Sequence, residues 1–486
     1  MIRSPMATVT DVDLAPDPSR VLAKPFIPGL EDVGPTGSRA GAVVSRLMRL
    51  AEDELARILE DLTARFSTRH RDLLSEFEHN AERVLPLIDA PENISRERLL
   101  VIGAYFTHEY SIEGAALANP SIVPHPVQDR PGALRFIMSV RCIGEGHRSA
   151  IGFRTGTISR DGGVEVDIPS HYVTHAIGEP WQHSRRVLHA RLDHLGYDFD
   201  EISQLLLLLP PTFDNSDLNA ALAEFSDTSQ VLTSEISQQA RDLSHWSYQV
   251  HFKEESEISE RVLWPHAPPE YHGMEDARFV RFTQESGDTS YLATYTAFDR
   301  NNISVQLLQT TDFRSFTSSP VAGSAAVGKG LAIFPRTIDG CFAALTRSDR
   351  ESNGIAFSED LHHWESSVQI QFPREPWELV QLGNCGPPIE IAEGWLVLMH
   401  GVGPMRTYAI GALLLDLDDP TTVIGHTRTP ILEADEVHRE GYVPNVVYSC
   451  GALVHAGTLV LPFGYADQRI GVATMQVSDL LSAMES

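Results

Sequence analysis

From Arg135 onward the chain is built of short apolar or alternating segments, each closed by Gly, Asp or Asn: RFIMSVRC, SAIGFRTGTI, SYLATYTAF, ISVQLLQT, CFAALTR, GWLVLMHGV, YAIGALLLDL and TLVLPFG. Alternation with period two, bounded by turn formers, specifies half-buried strands joined by hairpins. A weak internal repeat accompanies it. Thr311-Asp312-Phe313-Arg314-Ser315-Phe316 and Glu359-Asp360-Leu361-His362-His363-Trp364 each follow a strand, with Asp, three residues, then an aromatic. Counted by strand groups, about five such units run between Leu117 and Met475, which a radial array of four-stranded blades accommodates better than a sandwich.

Two stretches break this texture. Val43, Val44, Leu47, Leu50, Leu55, Ile58, Leu59, Leu62 and Phe66 recur at helical spacing, predicting one amphipathic helix from Ser38 past Leu73 and Phe77. Ser95 then caps a second helix toward Tyr110. A further helical insertion is expected over about 181–245, carried by VLHARLDHL, DLNAALAEF and EISQQARDL. Residues 1 to about 37, rich in Pro, Gly and Asp, read as an extended arm. The expected organisation is an arm and helical extension at 1–115, then a β domain at 116–486.

Charge limits the partners. With 38 Lys and Arg against 66 Asp and Glu, the chain carries −28, which opposes binding to nucleic acid or an anionic membrane. No apolar stretch is long enough to span a bilayer, and the start, MIRSPMATVTDVDLAPDPSR, has no apolar signal region, so a cytoplasmic location is expected. Cys142, Cys341, Cys385 and Cys450 are widely spaced with no C-x-x-C pair, against a metal cluster or disulfide framework. Only Lys24, Lys253 and Lys329 are lysines; the other basic residues are arginines.

Four polar clusters could carry chemistry. Tyr271-His272-Gly273-Met274-Glu275-Asp276-Ala277-Arg278 puts two adjacent carboxylates and an arginine before a strand. Neighbours on a regular strand point to opposite faces, so Glu275 and Asp276 are not expected to serve one site alike; the plain alternative is a solvated turn. Thr296 to Asn302 is a polar turn between apolar strands. Gly328-Lys329-Gly330 holds one of the three lysines between glycines that allow a close ligand approach, or is an ordinary exposed loop. In Trp395-Leu396-Val397-Leu398-Met399-His400-Gly401 a histidine ends an apolar strand, a place where a lone His is more often structural than functional. Tyr408, Asn445 and Asp467 are remote partners. No phosphate loop, H-E-x-x-H or G-x-S-x-G pattern occurs.

In order along the chain, these clusters resemble glycoside hydrolase family 130, the inverting β-mannoside phosphorylases and related mannosidases. Gly273 to Arg278 is similar to the family's G-x-E-D-P-R signature, with Ala277 where proline is usual. Gly386-Pro387-Pro388-Ile389, Glu393-Gly394-Trp395-Leu396 and His400-Gly401 resemble its PP…GWL…YHG block. Gly411 to Pro420, Val443-Pro444-Asn445-Val446-Val447 and Tyr465-Ala466-Asp467 follow. His108-Glu109-Tyr110-Ser111 and Asn119-Pro120-Ser121 are similar to the longer β-1,2-oligomannan phosphorylases. The resemblance implies a five-bladed β-propeller, here with the helical extension and insertion. It implies Asp276 as catalytic acid, Arg300, Asn301, Lys329, His400 and Tyr408 as phosphate ligands, and Arg141, Glu275, Arg278, Asn445 and Asp467 as substrate contacts. Inorganic phosphate would be a co-substrate, with no metal and no other cofactor, and a homo-oligomer is left open. Phosphate is itself a nucleophile, so one acid and clustered cationic donors suffice, where an inverting hydrolase needs a second carboxylate. The expected reaction is reversible phosphorolysis of β-1,2-linked mannooligosaccharides to α-mannose 1-phosphate. The alternatives are a β-mannosyltransferase or oligomannan-synthesising enzyme, a β-mannoside hydrolase, and a non-catalytic carbohydrate-binding propeller.

Overall fold

The computed structural model describes residues 7–28, 39–87, 93–226, 232–434 and 439–485. Ser38, parts of the expected arm and 227–231 of the expected insertion lie outside them. The chain forms two compact units. One takes in the residues up to Pro16, Ala115–Pro169 and everything from His175; the other is Asp17–Gly114 with Ser170–Thr174.

The smaller unit is helical. The single helix expected from Ser38 past Phe77 is in fact three: α1 Arg39–Leu47, α2 Glu52–Phe66 and α3 Leu73–Val84, followed by α4 Arg96–Tyr105. The breaks have local causes that a periodicity count does not register. Asp72 accepts the Ser75 N–H and restarts the chain as α3. The Arg98 guanidinium, on α4, donates to the carbonyls of Leu47 and Leu50 at 2.7 and 2.9 Å, satisfying the open end of α1. Ser95 caps α4 by accepting the Arg98 N–H. Val44, Leu47, Leu55, Ala81, Val101, Ile102 and Phe106 form the core. In the same unit Arg20 and Glu113, both fully buried, pair at 3.0 Å.

The larger unit is mainly β. Its strands fall into antiparallel groups along the chain. Ala116–Pro124, Ala133–Ile143 and Ser149–Ser159 form the first group and Gly273–Thr283 to Ser315–Pro320 the second, the two joined by a single parallel bridge, Gly273 to Ser149. Ala332–Ile333 to Ser367–Gln371 make a third, and Gln381–Asn384 to Val423–His426 a fourth. Thr458–Tyr465 and Arg469–Gln476 centre the last, whose outer strand is Thr8–Leu14 from the start of the chain. The last group touches the first: Leu117 N–H donates to the Gln468 carbonyl and Cys450 N–H to that of Pro120. The repeated sequence motif is one turn built twice. Asp312 Oδ1 accepts the N–H groups of Arg314 and Ser315, and Asp360 Oδ1 those of His362 and His363. Phe313 and Leu361 take positive φ, and the motif's final aromatics, Phe316 and Trp364, are fully buried. Helices α5 Arg185–His194, α6 Phe199–Leu208, α7 Asn215–Ser226 and α8 Leu232–Ser244 interrupt the strands where an insertion was expected, and pack through Leu192, Leu205, Leu222 and Ile236. Among the described residues no helix is long and apolar enough to cross a membrane.

Candidate active site

The strand Gly273–Thr283 begins with an irregularity that makes the site. Its pairing with Thr289–Phe298 slips between Glu275 and Arg278, and Asp276 takes a left-handed φ of 56°. A bulge of this kind suspends the alternation of a regular strand. The expectation that Glu275 and Asp276 face apart is therefore corrected. Arg141, on Ala133–Ile143, reaches Glu275 Oε1 with Nη2 at 2.5 Å and Asp276 Oδ1 with Nη1 at 3.8 Å. Arg278 Nη1 donates to the Asp276 carbonyl at 2.8 Å, tying the bulge from inside with Ala277 in place of proline.

Lys329 closes the cluster from another strand group. Gly328 and Gly330 have φ of 86° and 100°, a region that side chains disfavour, so the glycines allow the tight loop that presents the lysine. Its Nζ donates to Glu275 Oε2 at 2.6 Å, so Glu275 bridges Lys329 and Arg141. Burial favours the neutral form of Asp276, which is only 7% exposed, but Lys329, Arg278, Arg141 and Arg347 outweigh it and hold the carboxyl below its usual range. Asp467 goes the other way. Burial, with Asp276 nearby, raises its carboxyl despite Arg141.

His400 lies in a second layer. Burial first, then Arg347 and Arg278, push its pKa down to about 3, so it is a neutral imidazole and not the cation that a charge-based phosphate site requires. Its ring stacks on Tyr408 at 6.0 Å and lies 4.7 Å from Tyr448. The positive charge at this end comes from Arg347, whose Nη1 is 3.3 Å from His400 Nε2. Sequence reasoning missed Arg347 and Tyr448. Arg347 carries a readable signal, as the arginine that ends CFAALTR, an otherwise apolar strand. Tyr448 does not: it sits on a two-residue strand, and its hydroxyl accepts from Arg278 Nη2 at 2.9 Å. Gly383 makes room for the pair, since a Cβ there would lie 2.8 Å from His400 Cε1 and 3.0 Å from Arg347 Cδ.

The remaining predicted residues are placed unequally. Asn445 (φ 63°) accepts the Tyr408 N–H on its carbonyl, and Asp467 (φ 49°) follows Ala466, also left-handed. Left-handed residues without glycine are strained and collect at functional sites. Arg300 and Asn301 occupy an exposed turn held by Asp299 Oδ1, which accepts from the N–H groups of Asn301 and Asn302. That turn is at the Gly273 end of the paired strands, but no hydrogen bond or ion pair joins Arg300 or Asn301 to the Glu275–Lys329 cluster among the described residues. Nor is any group of three His, Cys, Asp or Glu side chains among those residues disposed to hold a metal ion.

Comparison with known proteins agrees with these motifs. The sequence profile of glycoside hydrolase family 130, described as beta-1,4-mannooligosaccharide phosphorylase, matches residues 231–486. The chain is 35% identical over 228 residues to a 1,2-beta-oligomannan phosphorylase of Thermoanaerobacter sp. (strain X514), covering 46% of this chain and 75% of that one. It is 33% identical over 232 residues to a beta-1,2-mannobiose phosphorylase of Listeria innocua serovar 6a, covering 46% and 63%. A solved structure of the beta-1,2-mannobiose phosphorylase from Listeria innocua with beta-1,2-mannobiose aligns over 77% of this chain and 92% of that one, at 23% identity and a TM-score of 0.46. A profile match over this span, with the Gly273–Arg278 signature folded into one cationic cluster, places the chain in glycoside hydrolase family 130.

Proposed function

We propose that this enzyme carries out reversible, inverting phosphorolysis of β-1,2-linked mannooligosaccharides, releasing α-mannose 1-phosphate. The observation that carries the reading is the buried carboxyl of Asp276 held below its usual range by Lys329, Arg278, Arg141 and Arg347, with the neighbouring Glu275 already paired to Lys329 and Arg141. The linkage follows the names of the relatives, which are β-1,2-mannoside phosphorylases. In this reading an oxygen of hydrogen phosphate attacks the anomeric carbon as the glycosidic C–O bond breaks. Asp276 supplies the leaving oxygen with a proton, by relay through a sugar hydroxyl, and the proton of hydrogen phosphate replaces it. Lys329 and Arg347 hold the dianion, with His400 and Tyr408 as neutral donors and Arg300 and Asn301 reaching it from their turn. Arg141, Glu275, Arg278, Asn445 and Asp467 shape the sugar subsites. The five strand groups, the last completed by Thr8–Leu14 and touching the first, support a five-bladed propeller around this site. A cytoplasmic enzyme is part of the same proposal.

The cations also make the reaction order intelligible. In the empty site their field keeps Asp276 ionised, the wrong state for an acid. A phosphate dianion among them offsets that field and lets the carboxyl take up a proton, so nucleophile and acid are loaded together. A hydrolytic reading has one observation in its favour, the raised carboxyl of Asp467, which could activate water. Purified protein incubated with β-1,2-mannotriose should release mannose 1-phosphate only when phosphate is present. Release of free mannose without phosphate would overturn the proposal. Asp276→Asn should lower turnover by at least about a hundred-fold, and Lys329→Ala should chiefly raise the KM for phosphate.

A further inference from the structure

A cavity against the helical insertion is lined by buried donors that the residues above do not include. There Arg191 of α5 is 7% exposed. Its Nη1 donates to the Val321 carbonyl at 2.8 Å and its guanidinium lies over the Trp246 ring at 4.9 Å. Among the described residues no carboxylate faces it, and burial alone pushes its pKa down to about 10. Its Nε is buried with no acceptor. The same cavity, about 90 Å³, is lined by Trp181, His183, Ser244, Ser319 and His362. Trp181 Nε1 is likewise buried with no hydrogen-bond partner. Asp360, beside His362, is already engaged: it pairs with Arg186 at 2.6 Å and accepts the N–H groups of His362 and His363.

A buried guanidinium without a counter-charge is strongly destabilising, as is each buried N–H left without an acceptor. Here the Arg191 guanidinium and the Trp181 indole N–H both border one small cavity: each needs an acceptor, and the guanidinium needs a counter-charge. The volume has room for several water molecules, hence for a compact oxyanion and not for an oligosaccharide. We infer that the cavity between α5, α8 and the strand Ser315–Pro320 binds a small tetrahedral oxyanion, with Arg191 as its cationic anchor and Trp181 Nε1 as a donor. The site is independent of the proposed catalytic phosphate, and its test does not depend on turnover.

Equilibrium dialysis of labelled inorganic phosphate against the full chain measures it. The Lys329→Ala protein should still bind phosphate, and sulfate should compete. Adding Arg191→Met should weaken that binding about ten-fold or more, the loss of a charged hydrogen-bond partner. If the Lys329→Ala protein binds none, or if Arg191→Met leaves the affinity unchanged, the site does not exist. Should Arg191→Met fail to fold by circular dichroism, Trp181→Phe keeps the aromatic bulk and removes one N–H. It should weaken binding about five-fold, and an unchanged affinity would equally overturn the inference.

Discussion

Asp276 must be protonated to act as an acid, yet in the empty site four cations hold it as a carboxylate. Because its folded-state pKa is lowered, its ion pairs stabilise the fold above the ordinary carboxylate range and lose that contribution as pH falls through the lowered value. For activity the sign is opposite: the acid form is needed, so the basic limb of the rate profile follows the pKa of Asp276 in the loaded site. Phosphate should raise that pKa. Profiles of turnover against pH at low and saturating phosphate, corrected for phosphate's own ionisation, should show the basic limb at higher pH when phosphate saturates. Coincident limbs would contradict the coupling. His400, with its pKa near 3, should add no limb of its own. That Glu275, Asp276, Arg278 and Lys329 stand in polar clusters was legible in the residue pattern, and the structure brings these four together with Arg141. Their charge states were not legible, because burial and neighbours remote in sequence set them.

Elements show where periodicity is a good guide and where it fails. The two Asp-x-x-x-aromatic turns were readable because their function is local: one carboxylate oxygen closes the turn and an aromatic ring drops into the core four residues on. Trp364 is fully buried among Val280, Leu292, Leu361 and their neighbours, with its indole N–H donated to the Leu361 carbonyl. Trp364→Ala should lower stability by about 3–5 kcal/mol, read as a lower midpoint in urea. The bulge at Asp276 was not readable. Nothing in Met274-Glu275-Asp276-Ala277 announces a left-handed residue, and a regular strand would have sent the two carboxylates apart. The division of the expected N-terminal helix into three had a similar cause. Its apolar spacing continues across the breaks, while the cap at Asp72 and the Arg98 contacts depend on single side chains.

At the scale of the whole molecule, the strand Thr8–Leu14 pairs with Arg469–Gln476, more than four hundred residues away, and Asp13 receives Arg469 at 2.5 Å and the Tyr465 hydroxyl at 2.7 Å. Deleting the chain up to Leu14 would leave Arg469–Gln476 as an open sheet edge. The truncated protein should melt several degrees lower and aggregate on heating; an unchanged melting temperature would show that the pairing contributes little. A milder change, Asp13→Ala, should lower the melting temperature less.

The sequence by itself determined the mainly β character, the positions of the helical segments and the identity of most polar clusters, because strand alternation, turn chemistry and cap residues act over a few positions. It also determined that a chain at −28 must bind any phosphate through a local cluster and not through its overall field. Only the tertiary structure decided that Glu275 bridges Arg141 and Lys329, that Arg347 supplies the charge His400 lacks, that the first strand completes the last sheet, and that Arg191 is buried without a counter-charge. Each of these depends on groups far apart in the chain meeting in a low-dielectric interior. There distance and burial, not spacing, set the energies.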